Sequence, residues 1–213
     1  MKIDAFFELV PKIKNLPLPG QDSHYKMTPS ERVEALKNNQ YAIEKARRAA
    51  VLSLFYPDNN KDTHLLLILR KTYRGVHSNQ VGFPGGKVEP QDKDLRQTAL
   101  RETEEEIGVP EKVVTVFKEL SDVYIPPSNF MVTPFMGFTS ETPRFIKQEE
   151  EVEQIIEVPF QAILQENNLA HATLNTSYAT NVKVPSFKLN NYTVWGATAM
   201  MLNEVRDLFH KVL

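Results

Sequence analysis

Cysteine is absent from all 213 residues. Its absence excludes disulfides, thiolate metal sites and a cysteine nucleophile. It also makes a reducing cytoplasm the expected location. Long apolar runs are missing too: the longest is LLLIL, Leu65 to Leu69, far short of the roughly 20 residues that a membrane span needs. No charge sign dominates. The 25 Lys and Arg against 27 Asp and Glu give a formal net charge of −2, so no broad basic field points to nucleic acid. Internal repeats and low-complexity tracts are likewise missing. The opening MKIDAFFELVPKIKN has no small-residue cleavage site and does not read as a secretory signal. The closing HKVL is not a peroxisomal tripeptide.

What is present is the composition of a globular protein, with 41% hydrophobic and 24% charged residues. The length suits one large domain, or one domain with an extension. Ile3, Phe6, Phe7 and Val10 keep the spacing of a short amphipathic helix. LPLPGQDS then breaks it. TPSERVEAL reads as a second helix, with Thr28 as cap, Pro29 at the first position and Glu31 closing a capping box. Residues 1–40 thus read as a helical extension ahead of a domain over 41–213. Such short helices are marginal alone, so their apolar faces are expected to pack on the domain or on a second subunit in a homodimer. The extension is expected to serve stability or assembly rather than catalysis.

From Ala46 the pattern changes. RRAAVLSLFY and THLLLILRK read as strands around the turn PDNNKD, and NQVGF as a third, short one. Then come a helix ending at Ile107 and strand-like VVTVFKELSDVYI, FMVTPFMGF and VEQIIEV. A helical turn FQAIL, a hairpin from NVKVPSFKL and YTVW, and a closing helix with Ala199, Leu202, Val205, Leu208, Phe209 and Val212 on one face complete the chain. This order predicts a mixed sheet covered by helices, an α/β fold.

The helix before Ile107 carries Glu102, Glu104, Glu105 and Glu106. Asp94 with Gln97 caps its start and Gly108 stops it. At about 100° per residue, Glu102, Glu105 and Glu106 share one face and Glu104 points elsewhere. Like charges so close destabilise a helix; the face is either simply solvated or meant for a cation. Hard cations such as Mg²⁺ take oxygen ligands from a few carboxylates and from substrate phosphates. Just ahead lies FPGG, where Gly85 and Gly86 let backbone approach a ligand closely.

Gly86, Arg101-Glu102, Glu105-Glu106 and Gly108 together resemble the Nudix box. The resemblance implies an αβα sandwich around a mixed sheet, and hydrolysis of a nucleoside diphosphate linked to another group. It implies that Glu102, Glu105 and Glu106 hold Mg²⁺ or Mn²⁺, that Arg101 orients the glutamates, and that Gly85 and Gly86 supply backbone contacts. Eight residues separate Asp92 from Arg101 where seven is usual, and Thr103 replaces an aliphatic residue. The longer spacing is similar to the coenzyme A pyrophosphatase branch. Arg70, His77, Gln80 and Phe83 to Gly86 fit that branch's upstream signature; Asn79 stands where it has glycine, and Arg74 lies one place before a patterned arginine, at Gly75.

On that reading the partner is a small nucleotide, with neither nucleic acid nor membrane. Coenzyme A would be cut to 3′,5′-ADP and 4′-phosphopantetheine. Another nucleoside diphosphate derivative, such as ADP-ribose, or a nucleoside triphosphate is the runner-up, and a binding module without turnover is the third reading. Arg70, Arg74 and His77, with Gly85 and Gly86, are the candidate substrate contacts; Lys71, Arg47 and Arg48 are further cations nearby. In the acidic run KQEEEVEQ, the resemblance favours Glu151 over Glu149, Glu150 and Glu153 as a late-loop ligand or base. Trp195 and Phe130 are expected in the core rather than beside ligand.

Overall fold

In the computed structural model, described for residues 1–37, 43–72, 79–174 and 180–213, the elements follow the expected alternation. Helices α1 (Ile3–Asn15), α2 (Gln21–Tyr25) and α3 (Ser30–Lys37) come first. Strands β1 (Arg47–Pro57), β2 (Thr63–Arg70), β3 (Val81–Gly82) and β4 (Gly85–Lys87) lead into α4 (Leu95–Ile107). Then follow β5 (Thr115–Glu119), β6 (Val123–Ile125), β7 (Phe130–Phe138), β8 (Val152–Pro159), α5 (Phe160–Leu164), β9 (Leu169–Leu174), β10 (Val182–Leu189), β11 (Tyr192–Trp195) and α6 (Gly196–His210).

The main sheet runs β3-β2-β1-β7-β5, with β4 on β1, β6 on β7 and β8 on β2. It is mixed because β1 pairs β7 in parallel while its pairs with β2 and β4 are antiparallel. Both faces are covered, and for that reason β1 and β2 are almost continuously apolar. Successive side chains alternate between two cores. Ala49, Val51 and Phe55 face the side of α1, α5 and α6, where Phe6, Ile163 and Phe209 are buried. Ala50, Leu52, Leu54 and Tyr56 face α4, meeting Ala99, Leu100 and Ile107. The architecture is therefore an α/β sandwich on a mixed sheet. A separate antiparallel sheet, β11-β10-β9, stands beside it. Among the described residues no helix is long and apolar enough to cross a membrane.

The N-terminal segment is bound into this frame. Phe6 is fully buried and its ring lies 4.8 Å from Phe55 and 5.6 Å from Phe209. Helix α2 occupies a stretch that the sequence suggested was only a break. Thr28 does not act as expected: its Oγ1 donates to the carbonyl of His24 at 3.0 Å, closing α2. Glu204 of α6 fixes the segment. It is fully buried, and its carboxylate accepts from Gly20 N at 3.2 Å and Ser121 Oγ at 2.7 Å, with His24 Nε2 at 2.9 Å. Asn203 Nδ2 donates to Ser23 O at 3.0 Å, and Lys26 pairs with Asp207 at 2.8 Å.

Candidate active site

The site is assembled where a glycine turn meets one face of α4. Strand β4 lies against β1 with Gly85 opposite Val51 and Gly86 opposite Ala50. Gly85 has φ +144°, and a Cβ there would collide with Ala50 O and Val51 Cα. Only glycine fits that close approach. A Cβ on Gly86 would fall 2.5–2.6 Å from the Glu102 carboxylate. The turn is thus shaped to bring backbone against α4.

Helix α4 starts as its sequence predicts. Asp94 Oδ1 accepts from Gln97 N at 2.7 Å, and Gly108 ends the helix with φ 73°. The helical spacing grades its glutamates from sheet to solvent. The Glu106 side chain is 2% exposed, Glu102 12% and Glu105 57%. Glu104 points away, and its Oε2 accepts from Glu111 N at 2.9 Å. Thr103 takes the place of an aliphatic residue without penalty: it is fully buried, and its Oγ1 donates to Ala99 O at 2.6 Å.

Two arginines hold the carboxylates. Arg101 forks onto Asp92, with Nε to Oδ1 at 2.8 Å and Nη2 to Oδ2 at 3.0 Å. Its Nη1 donates to Glu102 Oε1 at 3.1 Å and Glu105 Oε2 at 2.9 Å, and its Nη2 also reaches Lys87 O at 3.1 Å. Asp92, displaced by one residue in the spacing, still braces Arg101. That hydrogen-bonded guanidinium holds its carboxyl well below the usual carboxylate range. Arg70 binds the other side: Nη1 lies 3.1 Å from Glu106 Oε1 and Nη2 donates to Gly85 O at 2.6 Å. Gly85 N donates to Glu106 Oε2 at 2.8 Å.

Burial pushes Glu106 up to about 7, against the pull of Arg70 and the Gly85 N–H; Glu102 and Glu151 add to the rise by like charge. Glu102 is also raised, first by burial and further by Glu105 and Glu151. Glu151 therefore lies within the field of both. Glu149 is paired instead with Lys147 at 3.1 Å.

With guanidinium groups between the carboxylates, no three acidic or histidine side chains among the described residues stand gathered around one point. The donors nevertheless suit a hard divalent ion. Glu102, Glu105 and Glu106 offer only oxygen, and the buried Glu106 Oε1 is met by the ion-paired Arg70 Nη1 without a well-aligned hydrogen bond.

The turn opens onto a cavity of about 610 Å³, within the range of about 300–1,000 Å³ usual for ligand pockets. Arg70, Gly85 and Gly86 border it, and so do Phe130 and Trp195. Both rings are half-buried on the cavity wall; Phe130 also packs against the core, as its sequence suggested. The Arg47 guanidinium covers Phe130 at 4.1 Å from the ring centre. Arg48 is turned to Asp122 at 3.0 Å and to Thr133. Neither joins Arg70 on the glutamates. Arg74 and His77 lie outside the described residues. Asn79 has φ 54°; asparagine tolerates this left-handed conformation better than most residues, so it can replace the glycine of the resembled pattern.

The sequence did not reveal the contribution of α3 and the loop before it. Met27, Thr28, Pro29, Arg32 and Leu36 all border the cavity. Proximity to the glycine turn depends on Glu204, more than 160 positions along the chain, so no local signal announces it.

A Nudix domain model matches residues 46–177. The chain is 34% identical over 141 residues to the uncharacterized Nudix hydrolase NudL of Yersinia enterocolitica serotype O:8, covering 66% of this chain and 71% of that protein. It is 32% identical over 170 residues to the NudL of Yersinia pestis strain Pestoides F, covering 80% and 83%. Among solved structures, the Nudix hydrolase RenU of M. smegmatis superposes with TM-score 0.54 at 16% identity over 79% of this chain and 88% of that one. A C. elegans Ap4A hydrolase gives 0.52 at 15% identity over 78% and 99%. At such identities these two likenesses speak for the fold alone.

Proposed function

The chain belongs to the Nudix hydrolase family, and we propose that the nucleotide diphosphate derivative it hydrolyses is coenzyme A or a coenzyme A derivative, in the cytoplasm. The observation that carries this reading is the continuity of the cavity. One end has Arg70 and the Gly85–Gly86 backbone, suited to a diphosphate; the remainder is mostly apolar with a few polar side chains, Arg32 and Gln80 among them, suited to a long arm that is part amide and part hydrocarbon. The upstream run from Arg70 to Gly86 supports the same substrate.

Nudix hydrolases generally use divalent metal ions. Here Glu102, Glu105 and Glu106 would hold Mg²⁺ or Mn²⁺, which when bound neutralises phosphate oxygens and acidifies water. Arg101 is the positioning residue: Asp92 fixes its plane, and its Nη1 aims Glu102 and Glu105. Glu151, at the edge of the carboxylate group, takes the proton from the attacking water. Water oxygen joins one phosphorus as the bridging P–O bond breaks. The products are 4′-phosphopantetheine, or its acyl form, and 3′,5′-ADP.

The 3′-phosphate supplies the test of substrate choice. The local cations Arg70, Lys71 and Arg74 are the candidates to read it, and one charge-assisted hydrogen bond is worth about 1.5–3 kcal/mol. Coenzyme A should therefore be cut roughly 10- to 150-fold more efficiently than its 3′-dephospho form. Equal kcat/KM on the two would contradict a site that reads this phosphate. Faster cleavage of ADP-ribose than of either would replace coenzyme A as the substrate.

A further inference from the structure

We propose that the N-terminal α2–α3 segment is a specificity wall of the active site, and that the cavity it closes receives the acyl-pantetheine arm of an acyl thioester, with Leu36 helping to set the accepted chain length. The proposal rests on the coenzyme A reading above and goes beyond it by naming the arm and the residues that select it.

The cavity begins at the turn where the diphosphate would lie, so its contents must be attached to that diphosphate. Its walls suit an apolar occupant: Met27 and Leu36 from the N-terminal segment share it with Phe83, Ile125, Met200 and Met201. Three bordering hydroxyls already donate inside the protein. Thr28 Oγ1 donates to His24 O, Thr198 Oγ1 to Val81 O, and the Tyr124 hydroxyl to Asn129 Oδ1, at 3.0, 3.0 and 3.1 Å. Arg32, Gln80 and Lys87 also border the cavity; a pantetheine arm has amides and a hydroxyl for such groups to meet, whereas the acyl chain beyond it needs only apolar surface. Methionine side chains suit chains of varying length, because an unbranched thioether adapts its shape to its neighbour.

The start of the wall is anchored. Glu204, Asn203 and Asp207 along α6 bind Gly20, Ser23, His24 and Lys26. These contacts set α2 on α6, and α3 follows α2 after only four residues. Met27 is buried in the core, so changing it would disturb the fold. Leu36 is only half-buried and can be varied in size.

The test is steady-state kinetics with Mg²⁺ on free coenzyme A and its acetyl, hexanoyl and decanoyl thioesters. Wild type, Leu36→Trp and Leu36→Ala are compared as full-length proteins, with a thermal melt of each. Leu36→Trp should lower kcat/KM for the hexanoyl and decanoyl thioesters at least about tenfold, through KM, while free coenzyme A changes by less than about threefold. Leu36→Ala should move the preference towards the decanoyl form. A loss equal on all four substrates, or one confined to kcat, would mean a structural role and overturn the proposal. So would an unchanged chain-length profile in both variants. If the tryptophan variant melts below the assay temperature, the direction of the alanine variant decides alone. Cleavage of coenzyme A with no such shift defeats this inference and leaves the parent reading standing; no cleavage of any of the four defeats both.

Discussion

Glu105→Gln is expected to lose at least about 10²-fold in kcat/KM while melting at nearly the wild-type temperature. The two halves of this expectation have separate causes. Glu105 is the most exposed of the three convergent glutamates, with its side chain 57% exposed. Its partner Arg101 keeps Asp92, Glu102 and Lys87 O without it. An exposed i,i+4 pair contributes only a few tenths of a kcal/mol, so the fold should hardly notice the change. Glutamine keeps the size and one oxygen but removes the negative charge with which a carboxylate binds a divalent ion. Kinetics on the folded variant, with a melt as control, checks both halves. Wild-type activity in a folded Glu105→Gln protein would remove the carboxylate face of α4 as the seat of the chemistry.

Glu204→Leu should do the reverse and fail by unfolding, losing about 3–5 kcal/mol of stability, or roughly 10 °C in Tm for a chain of this size. Leucine has a similar volume, so the effect would not come from a cavity. It would come from Gly20 N–H, the Ser121 N–H and hydroxyl, and the His24 ring, all left facing an apolar side chain. Burial works against the Glu204 charge, yet the hydrogen bonds from His24 and Ser121 hold its pKa below the ordinary value. A depressed carboxylate pKa stabilises the fold above the unfolded value near 4.3, and that contribution is lost as pH falls through the folded value. The stability gap between wild type and Glu204→Leu should therefore be full at pH 7 and shrink below about pH 4. Denaturant unfolding at pH 7 and pH 3.5 measures it; a gap independent of pH would show that the charge contributes nothing.

The main sheet and α4 were legible because their signals are local. Strand β1 has seven apolar residues of eleven buried between two cores, so its run needs no partner to be read. Asp94 and Gly108 mark the ends of α4 through the backbone geometry that each satisfies. The departures from the resembled pattern also have local explanations: Thr103 satisfies its own hydroxyl, and Asn79 adopts the left-handed backbone. What stayed hidden depends on distant chain. Helix α2 is five residues without apolar periodicity, held by Glu204 from the far end of the sequence. Strand β9, LAHATL, alternates between half-buried and exposed positions and lacks the aliphatic run that marks β1 and β2. Phe130 and Trp195 looked like core because aromatic residues usually are; the cavity that they also border is formed only when α3 and the loop before it meet β3, β7 and α6.

The most direct measurement is the mass of the products formed when the purified protein is incubated with coenzyme A and Mg²⁺. The account predicts 3′,5′-ADP and 4′-phosphopantetheine in equal amounts, with neither formed when the ion is removed by chelation. Intact coenzyme A beside rapid cleavage of another nucleoside diphosphate derivative would contradict it.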